Sequence, residues 1–357
     1  MVYVLLIIYG WFAAVALGNA LLMRRPKPRE SGATFCILIP ARDEEDNLRR
    51  LIPSLLDPNP GLKVYVYDDE SSDKTAAVAR ELGATLIQPR ETLPAGWTGK
   101  NRACNELAQA ASEDSDAEWY LFMDADARPA PEFLGAMRDL AATAGRTAGV
   151  LTGFPKIIPG RGLEPLFLGW VGWILLSSNP YGLVSRTGKG HNRFTNGQIH
   201  AWKASVYTSL WPNERVKGAV LEDVKIGRLL AKEGIKVEVA NLSKYFAVKM
   251  YDTWGEALDG MSKNSYEITD SALATIALGV IMILFAWGWL LAGSLMWICL
   301  ALLAISGLGT MAVVRVRPWG LPLLPIAISI GGFTLWRSLH WRRKGKVTWK
   351  GRIYPGP

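Results

Sequence analysis

Carboxylates gathered at three points in the chain are the residues best suited to chemistry. Asp124-Ala125-Asp126 follows the apolar run Tyr120-Leu121-Phe122-Met123, so two acids one residue apart leave a strand end on the same side of the chain. Oxygen ligands in that arrangement suit a small hard cation, Mg2+ or Mn2+, which keeps positions open for phosphate oxygens. Asp68 and Asp69 close an earlier apolar run, where a carboxylate can accept hydrogen bonds from a nucleobase or ribose hydroxyls. Glu222-Asp223 opens a helical stretch, and a carboxylate there can serve as base toward an acceptor oxygen, with Asp223 the choice. Each feature alone has a plainer reading. A D-x-D triplet caps a turn, paired aspartates cap the next helix, and acids in a first turn complement the helix dipole. Their joint occurrence carries the chemical reading.

Between Thr34 and roughly residue 160, short apolar runs alternate with helical stretches, the pattern of a parallel α/β sheet. Strands are expected at Phe35 to Ile39, Lys63 to Tyr67, Ala84 to Ile87 and Trp119 to Met123. Asp46-Asn47 and Asp73-Lys74-Thr75 are good helix starts after the first two. In open α/β sheets ligands bind beyond the carboxyl ends of strands, so acidic turns at several strand ends point to one crevice. Later come the polar loop Gly190 to Gly197, a strand or helix at Gln198 to Trp202, and a helix from Leu221 to Lys232 that Gly234 stops.

Taken together these residues resemble the family 2 glycosyltransferases. Ile37-Leu38-Ile39-Pro40-Ala41-Arg42-Asp43-Glu44-Glu45 is similar to the opening motif and Asp68-Asp69-Glu70-Ser71-Ser72-Asp73 to the nucleotide motif. Asp124-Ala125-Asp126 is similar to the metal motif and Glu222-Asp223 to the base motif. Leu93-Pro94-Ala95-Gly96-Trp97-Thr98-Gly99-Lys100-Asn101 resembles the G-W-x-G-K segment of carotenoid-acid and hopene-associated glycosyltransferases, as do Lys249-Met250-Tyr251 and the terminal Val347 to Tyr354. The resemblance implies a GT-A, Rossmann-like fold, a nucleotide-activated sugar and inversion at the anomeric carbon. It assigns Pro40, Ala41, Arg42, Glu44, Asp68, Asp69, Lys100 and Asp124 to the donor, Asp126 with Asp124 to the metal, and Asp223 with Glu222 to catalysis. In that fold the polypeptide between metal motif and base walls the acceptor side, which puts His191, Asn192, Asn196 and Gln198 there. The sequence departs from processive synthases and ceramide glucosyltransferases where their Q-x-x-R-W motif would stand; Met261-Ser262-Lys263-Asn264-Ser265-Tyr266 occupies that region. Single transfer is therefore expected.

No charged residue occurs from Val2 to Met23 or from Ser271 to Val314 in this chain of 357 residues. The first run reads as a retained transmembrane anchor (residues 1–23) and the second as two spans, near 272–292 and 295–314. Pro318 to Trp336 is uncharged but broken by prolines and glycines, and either spans or re-enters. Arg24, Arg25, Lys27 and Arg29 place the catalytic domain, 34–270, in the cytosol by the positive-inside rule. The region 271–339 is then the C-terminal membrane portion. Residues 340–357 form a basic tail, expected on the cytosolic side. The formal charge of +8 comes largely from these flanks and points to anionic lipid rather than nucleic acid, for which no motif is present. Cys36, Cys104 and Cys299 have no metal-ligand spacing and suit a reducing compartment. Leu163 to Leu176, with Phe167, Trp170 and Trp173, is too short to span. It is either a core helix or an interfacial helix that admits a lipid acceptor, which makes Trp170 and Trp173 acceptor candidates.

The function expected from these features is metal-dependent transfer of one hexose to a membrane lipid such as a carotenoid or other terpenoid acid or alcohol, and the resemblance implies glucose from its uridine diphosphate form. A polyprenyl phosphate is a competing acceptor, for which Lys203, Arg215 and Lys217 offer positive charge. A ceramide- or diacylglycerol-type glycolipid is another. A membrane scaffold subunit with a retained transferase fold is the reading without catalysis.

Overall fold

A computed structural model describes the backbone of residues 2–316, 318–344, 347–349 and 352–354. Met1, Arg317 and, from the basic tail, Gly345, Lys346, Lys350, Gly351 and 355–357 lie outside the described residues, as does the Phe167 side chain. The chain forms two compact units. One comprises Arg24–Lys156 and Gly188–Val248; the other comprises Met1–Met23, Ile157–Thr187 and Lys249–Pro357. The linear division of the sequence is thus crossed: 157–187 and 249–270 belong with the apolar helices, not with the strands. Helix Glu164–Ser178 is apolar along nearly its whole length. It needs an apolar partner, and the apolar helices supply one.

The first unit is built on a sheet of seven strands. In space they run Thr85–Ile87, Lys63–Asp68, Phe35–Ala41, Trp119–Met123, Ile199–Lys203, Val150–Phe154 and Val237–Asn241. Cys36, Ile37, Leu38 and Ile39 are fully buried, as an apolar run without alternation requires when both faces of a sheet are covered. Helix Glu45–Leu56 buries Leu48, Leu51, Ile52 and Leu55, at helical spacing. Register sets the site. Ala41 lies opposite Asp68, and Phe35 to Leu38 lie opposite Trp119 to Phe122, so three strands end side by side. The sheet is mixed rather than parallel, because Ile199–Lys203 runs antiparallel to both neighbours. Asp124 N–H donates to the Gln198 carbonyl (3.2 Å), so that strand starts beside the point where Trp119–Met123 ends and runs back along it. Asp73 ties two helix starts together, accepting from Thr75 N–H (2.9 Å) through Oδ1 and from Glu45 N–H (3.1 Å) through Oδ2.

Among the described residues, the second unit holds four helices long and apolar enough to cross a membrane: Val2–Leu22, Ala272–Leu291, Gly293–Val314 and Gly320–Arg343. They expose large apolar side chains such as Tyr3, Ile7, Leu273 and Trp297. Where they meet, small residues allow close approach: a Cβ at Gly309 would stand 2.8 Å from the Ala16 backbone, and one at Gly332 2.8 Å from the Gly279 carbonyl oxygen. Helix Glu164–Ser178 packs among them. Trp170 and Trp173 are buried in one cluster with Tyr9, Met282, Leu303 and Leu335, and Trp173 Nε1 donates to Ser306 Oγ (2.8 Å). The last helix runs antiparallel to Ala272–Trp287, with Trp336 Nε1 donating to the Ile276 carbonyl (3.2 Å) and Trp287 Nε1 to Ser329 Oγ (3.0 Å). Its C-terminal end meets the segment that leads into that helix. Arg337 pairs with Asp259 (2.7 Å), Tyr266 N–H donates to Ser338 Oγ (2.9 Å), and the Arg342 guanidinium lies 4.4 Å from the centre of the Tyr266 ring.

Candidate active site

Lys100, Asp124, Gly197, Glu222 and Asp223 come together from four separate stretches of the first unit. Lys100 stands in the first turn of helix Gly99–Asp114, whose N-cap Thr98 accepts from Asn101 N–H. Its ammonium lies 2.9 Å from Asp124 Oδ1 and 3.0 Å from Glu222 Oε1, and donates to the Gly197 carbonyl (3.3 Å). Gly197 is the hub: a Cβ there would stand 3.3 Å from Glu222 Oε1, 3.5 Å from Asp223 Oδ2 and 3.5 Å from Lys100 Nζ. A side chain would fill the space that these charged groups share. Helix Glu222–Lys232 places both acids in its first turn, and Val224 N–H donates to Asp223 Oδ1 (2.8 Å). Thr195 Oγ1 fixes the same turn by donating to the Asp223 carbonyl (2.8 Å).

The electrostatics follow from this crowding. Burial, and then the Glu222 charge, push the Asp223 carboxyl up to about 7, against the opposing pull of Lys100 and of N–H donation from Val224 and Gly197. Burial, then the charges of Asp124 and Glu44, push Asp126 up to about 7 as well. Burial raises Asp124 too, with Lys100 opposing. Burial works against the Lys100 charge, but Asp124 and Glu222 outweigh it and hold its pKa well above the usual lysine value. Beneath the site His200 stacks on Phe122 (4.9 Å) and is held neutral, its pKa pushed down to about 3 by burial and then by Lys100.

Asp126 Oδ1 is buried with no hydrogen-bond partner among the described residues. A carboxylate so placed, beside two other acids, fits a divalent cation held by Asp124 and Asp126. Among the described residues no group of three or more His, Cys, Asp or Glu forms a metal cage. A cation here would therefore draw its remaining ligands from phosphate oxygens and water. Glu44 stands close by, bound through Oε2 to Asn47 Nδ2 (2.6 Å), and Asn47 Oδ1 accepts from Arg128 Nη2 (2.6 Å).

The second acidic turn lines a separate part of the strand edge. Asp68 and Asp69 are buried, and Arg42 Nη1 donates to the Asp69 carbonyl (2.9 Å) while lying 4.0 Å from Asp69 Oδ2. Pro40 and Ala41 form the strand end beside them, and Asp69 N–H donates to the Ala41 carbonyl (2.8 Å). Asp68 Oδ2 accepts from Gln88 Nε2 (3.1 Å), and a cavity of about 390 Å³ opens there among Asp68, Glu70, Gln88, Pro89, Arg90, Glu91 and Thr92.

Other residues singled out in the sequence have different surroundings. Asn192 Nδ2 is occupied by the Val237 carbonyl (3.1 Å) and Asn196 Nδ2 by the Gly153 carbonyl (3.0 Å), both inside the packed fold. His191 is exposed on its loop. Gln198 adjoins the site through its backbone carbonyl, and Trp170 and Trp173 are core residues of the other unit. Arg215 is paired with Glu233 (2.8 Å), Lys217 lies over Trp97 (6.0 Å) and Lys203 over Trp119 (5.9 Å), so the three basic residues have separate partners. Asn47 reads in the sequence only as part of a helix start and Gly197 only as the end of a polar loop, and neither Arg128 nor Gln88 belongs to a motif there. Only Arg128 carries a sequence signal, since it follows Asp126 at the i+2 spacing that returns a strand side chain to the same face.

Residues 36–199 match the family described as Glycosyl transferase family 2, a span that ends before Glu222-Asp223. Over 93 residues the chain is 36% identical to a 4,4'-diaponeurosporenoate glycosyltransferase of Staphylococcus aureus (strain bovine RF122 / ET3-1), covering 26% of this chain and 24% of that protein. It is 37% identical over 103 residues to the protein of the same name from Staphylococcus haemolyticus (strain JCSC1435), covering 28% and 26%. The alignments thus span about a quarter of these curated relatives. In three dimensions the chain is similar to a mannosyltransferase from Pyrobaculum calidifontis, solved with GDP-Man and Mn2+. The TM-score is 0.51 at 13% identity, over 96% of this chain and 98% of that one. That likeness shows the fold, a GT-A domain combined with terminal apolar helices.

Proposed function

We propose that the chain, whose residues 36–199 match the family described as Glycosyl transferase family 2 and whose fold is of the GT-A kind, transfers a single hexose from a nucleotide sugar to a lipid acceptor, with inversion, at the cytosolic face of a membrane. The observation that carries this reading is the meeting of Lys100, Asp124, Glu222 and Asp223 around Gly197, with the Asp126 oxygen left unpaired. Asp223, raised to about 7, is matched to take a proton from an acceptor hydroxyl or to orient an acceptor carboxylate near neutral pH. As the acceptor oxygen bonds the anomeric carbon, the bond to the diphosphate breaks and the nucleoside diphosphate leaves. Asp124 and Asp126 would hold a divalent cation, Mg2+ or Mn2+, which when bound offsets the negative charge of that leaving group. Lys100, poised between Asp124 and Glu222, adds a second positive charge on the same side. Glu222 holds the Lys100 ammonium and raises the Asp223 basicity.

The donor is proposed to be uridine diphosphate glucose and the acceptor a carotenoid acid or related terpenoid. The partial identity to the staphylococcal 4,4'-diaponeurosporenoate glycosyltransferases supports that acceptor class. The separate pairing of Lys203, Arg215 and Lys217 gives a phosphate-bearing acceptor no gathered cation site. Four apolar helices support membrane residence. The first span and Met296–Val314 run alongside in the same direction, since Tyr9 OH meets Trp289 N–H (3.1 Å) and Gly309 meets Ala16. The last helix ends beside 259–267, which leads into the second span. That arrangement favours a re-entering stretch after Val314 and a tail on the cytosolic side.

The test is incubation of the purified chain in lipid nanodiscs with a panel of labelled nucleotide sugars, Mn2+ or Mg2+ and terpenoid acids, followed by mass spectrometry of the lipid. The expected product is a monoglycosylated acceptor. Unimpaired transfer by Asp126→Ala or Asp223→Ala at saturating donor and metal overturns the mechanism.

A further inference from the structure

Behind Lys100, a buried polar network joins the two segments that deliver the charged groups. Asn101 is fully buried. Its Nδ2 lies within hydrogen-bond distance of Thr98 Oγ1 (2.9 Å) and of three carbonyls in one loop: Val216 (3.1 Å), Lys217 (3.3 Å) and Ala219 (3.0 Å). Its Oδ1 accepts from Asn213 Nδ2 (2.9 Å), and Asn213 Oδ1 accepts from Tyr207 OH (2.7 Å). Asn213 and Tyr207 are themselves buried. Thr98 N–H donates to the Lys217 carbonyl (2.8 Å) as a second tie between the same two segments. A Cβ at Gly218 would stand 3.1 Å from the Gly96 carbonyl oxygen, so the loops are closely apposed as well as bonded.

Chain connectivity gives this network a consequence for the site. Lys100 immediately precedes Asn101, and Ala219 stands three residues before Glu222. The Lys100–Glu222 ion pair and the Asn101 bonds therefore connect the same two backbone segments, one at the surface of the site and one behind it. The surface pair can swing, because both side chains are long. The buried pair cannot, because an amide has one orientation that serves both its carbonyl and its NH2 group here.

We propose that Asn101 is a positioning residue that sets the loop 216–221, and with it Glu222 and Asp223, in register with Lys100 and Asp124. The proposal rests on the transferase reading above. Its loss disturbs where the base stands more than it disturbs donor contacts at Asp68 and Asp69, which lie on other strands. Asn101→Ala removes the Nδ2 contacts to the Val216, Lys217 and Ala219 carbonyls and leaves the Asn213 amide without its partner, so that Thr98 is left to tie the two segments behind Lys100 and the loop is freer to shift. Asn213→Ala removes only the group that orients Asn101.

The experiment measures transfer by wild type, Asn101→Ala, Asn213→Ala and the combinations of Asn101→Ala with Asn213→Ala and with Glu222→Gln, in nanodiscs at saturating metal. For Asn101→Ala, kcat is expected to fall about thirtyfold or more while the donor KM stays within about threefold, and Asn213→Ala gives a smaller fall of the same kind. The Asn101→Ala loss shrinks to a few-fold in the Glu222→Gln background, because the ion pair it keeps in register is already gone. Binding of a fluorescent nucleotide diphosphate reports folding of each variant independently of turnover. Wild-type kcat in Asn101→Ala, a loss confined to donor KM, or full additivity with Glu222→Gln in protein that still binds nucleotide overturns the positioning role. An inactive wild type fails the transferase reading instead, so the two failures are distinguishable.

Discussion

The pH dependence of transfer offers the sharpest test of the site, because two substitutions beside Asp223 should move it in opposite directions. The proposed base, Asp223, works deprotonated, and burial and then the Glu222 charge raise its carboxyl to about 7. Donor kcat/KM, which reports the free enzyme, should therefore fall as pH drops through 7 and lie about tenfold below its plateau one pH unit lower. Glu222 Oε1 and Asp223 Oδ2 stand 3.3 and 3.5 Å from the same point above Gly197, so they are no more than about 7 Å apart. Two like charges at that distance repel by about 2 kcal/mol at an effective dielectric constant of about 20. Glu222→Gln removes that repulsion and should carry the acid limb down by about one pH unit or more. Lys100→Met removes the opposing cation and should carry it up. This second shift is smaller, about half a pH unit, since the Lys100 side chain is 35% exposed and solvent screens its charge. The assay is donor kcat/KM from about pH 5 to about pH 9 in nanodiscs, scored by the position of the limb and not by its height, because both variants also lose rate. Limbs that stay put, or that move together, refute Asp223 as the titrating base.

Three further outcomes follow from the same geometry. Asp126 keeps its proton in the folded chain between about 3.8 and 7, where the unfolded carboxyl has lost it, so its charge costs stability above pH 7 and that cost vanishes as pH falls toward 3.8. Asp126→Asn should raise the thermal midpoint in tryptophan fluorescence at alkaline pH without metal or donor, and abolish any further rise on adding Mn2+; a lowered midpoint would contradict an unpaired charge. Gly197→Ala puts a methyl group 3.3 Å from Glu222 Oε1, and should cut kcat about tenfold with unchanged circular dichroism. For the membrane arrangement, Lys344→Cys should react with an impermeant maleimide only in inverted vesicles and Ser294→Cys only in right-side-out ones, over a low background because the three native cysteines are buried. Labelling of Lys344→Cys in right-side-out vesicles would exclude a cytosolic tail.

The acidic strand ends were readable because an apolar run that stops at Asp68 or Asp124 has few alternatives to a buried strand leaving its last residues at the sheet edge. Lys63–Asp68 and Trp119–Met123 formed as expected to within a residue. Lys100 was legible through the motif around it. Gly197 was not, since a glycine in a polar loop reads as a turn, and its importance arises only when Ile199–Lys203 runs back along Trp119–Met123. Direction in a sheet is set by tertiary packing, and Gln198 to Trp202 carries no sign of it. Asn101 was hidden for a related reason: its partners are carbonyls more than a hundred residues away. Side-chain bonds to backbone leave no trace in the partner's residue type.

A comparable clue did lie within the first apolar run. Asn19 is a polar amide in an otherwise apolar run, and a polar group buried away from water must find its bonds inside the protein. In the fold Asn19 Nδ2 donates to the carbonyls of Leu176 and Asn179 (2.8 Å each), and its Oδ1 accepts from Gly182 N–H (2.9 Å). Those three partners are at the end of helix Glu164–Ser178 and just beyond it, where carbonyls lack a next turn to bond. Asn19 thus satisfies a helix terminus, and the helix satisfies Asn19. That exchange, together with the Trp173–Ser306 bond, packs helix Glu164–Ser178 among the apolar helices. The stretch is too short to span, yet it packs as a member of the apolar helical unit, because a polar residue in the first span requires the polar end of a helix beside it.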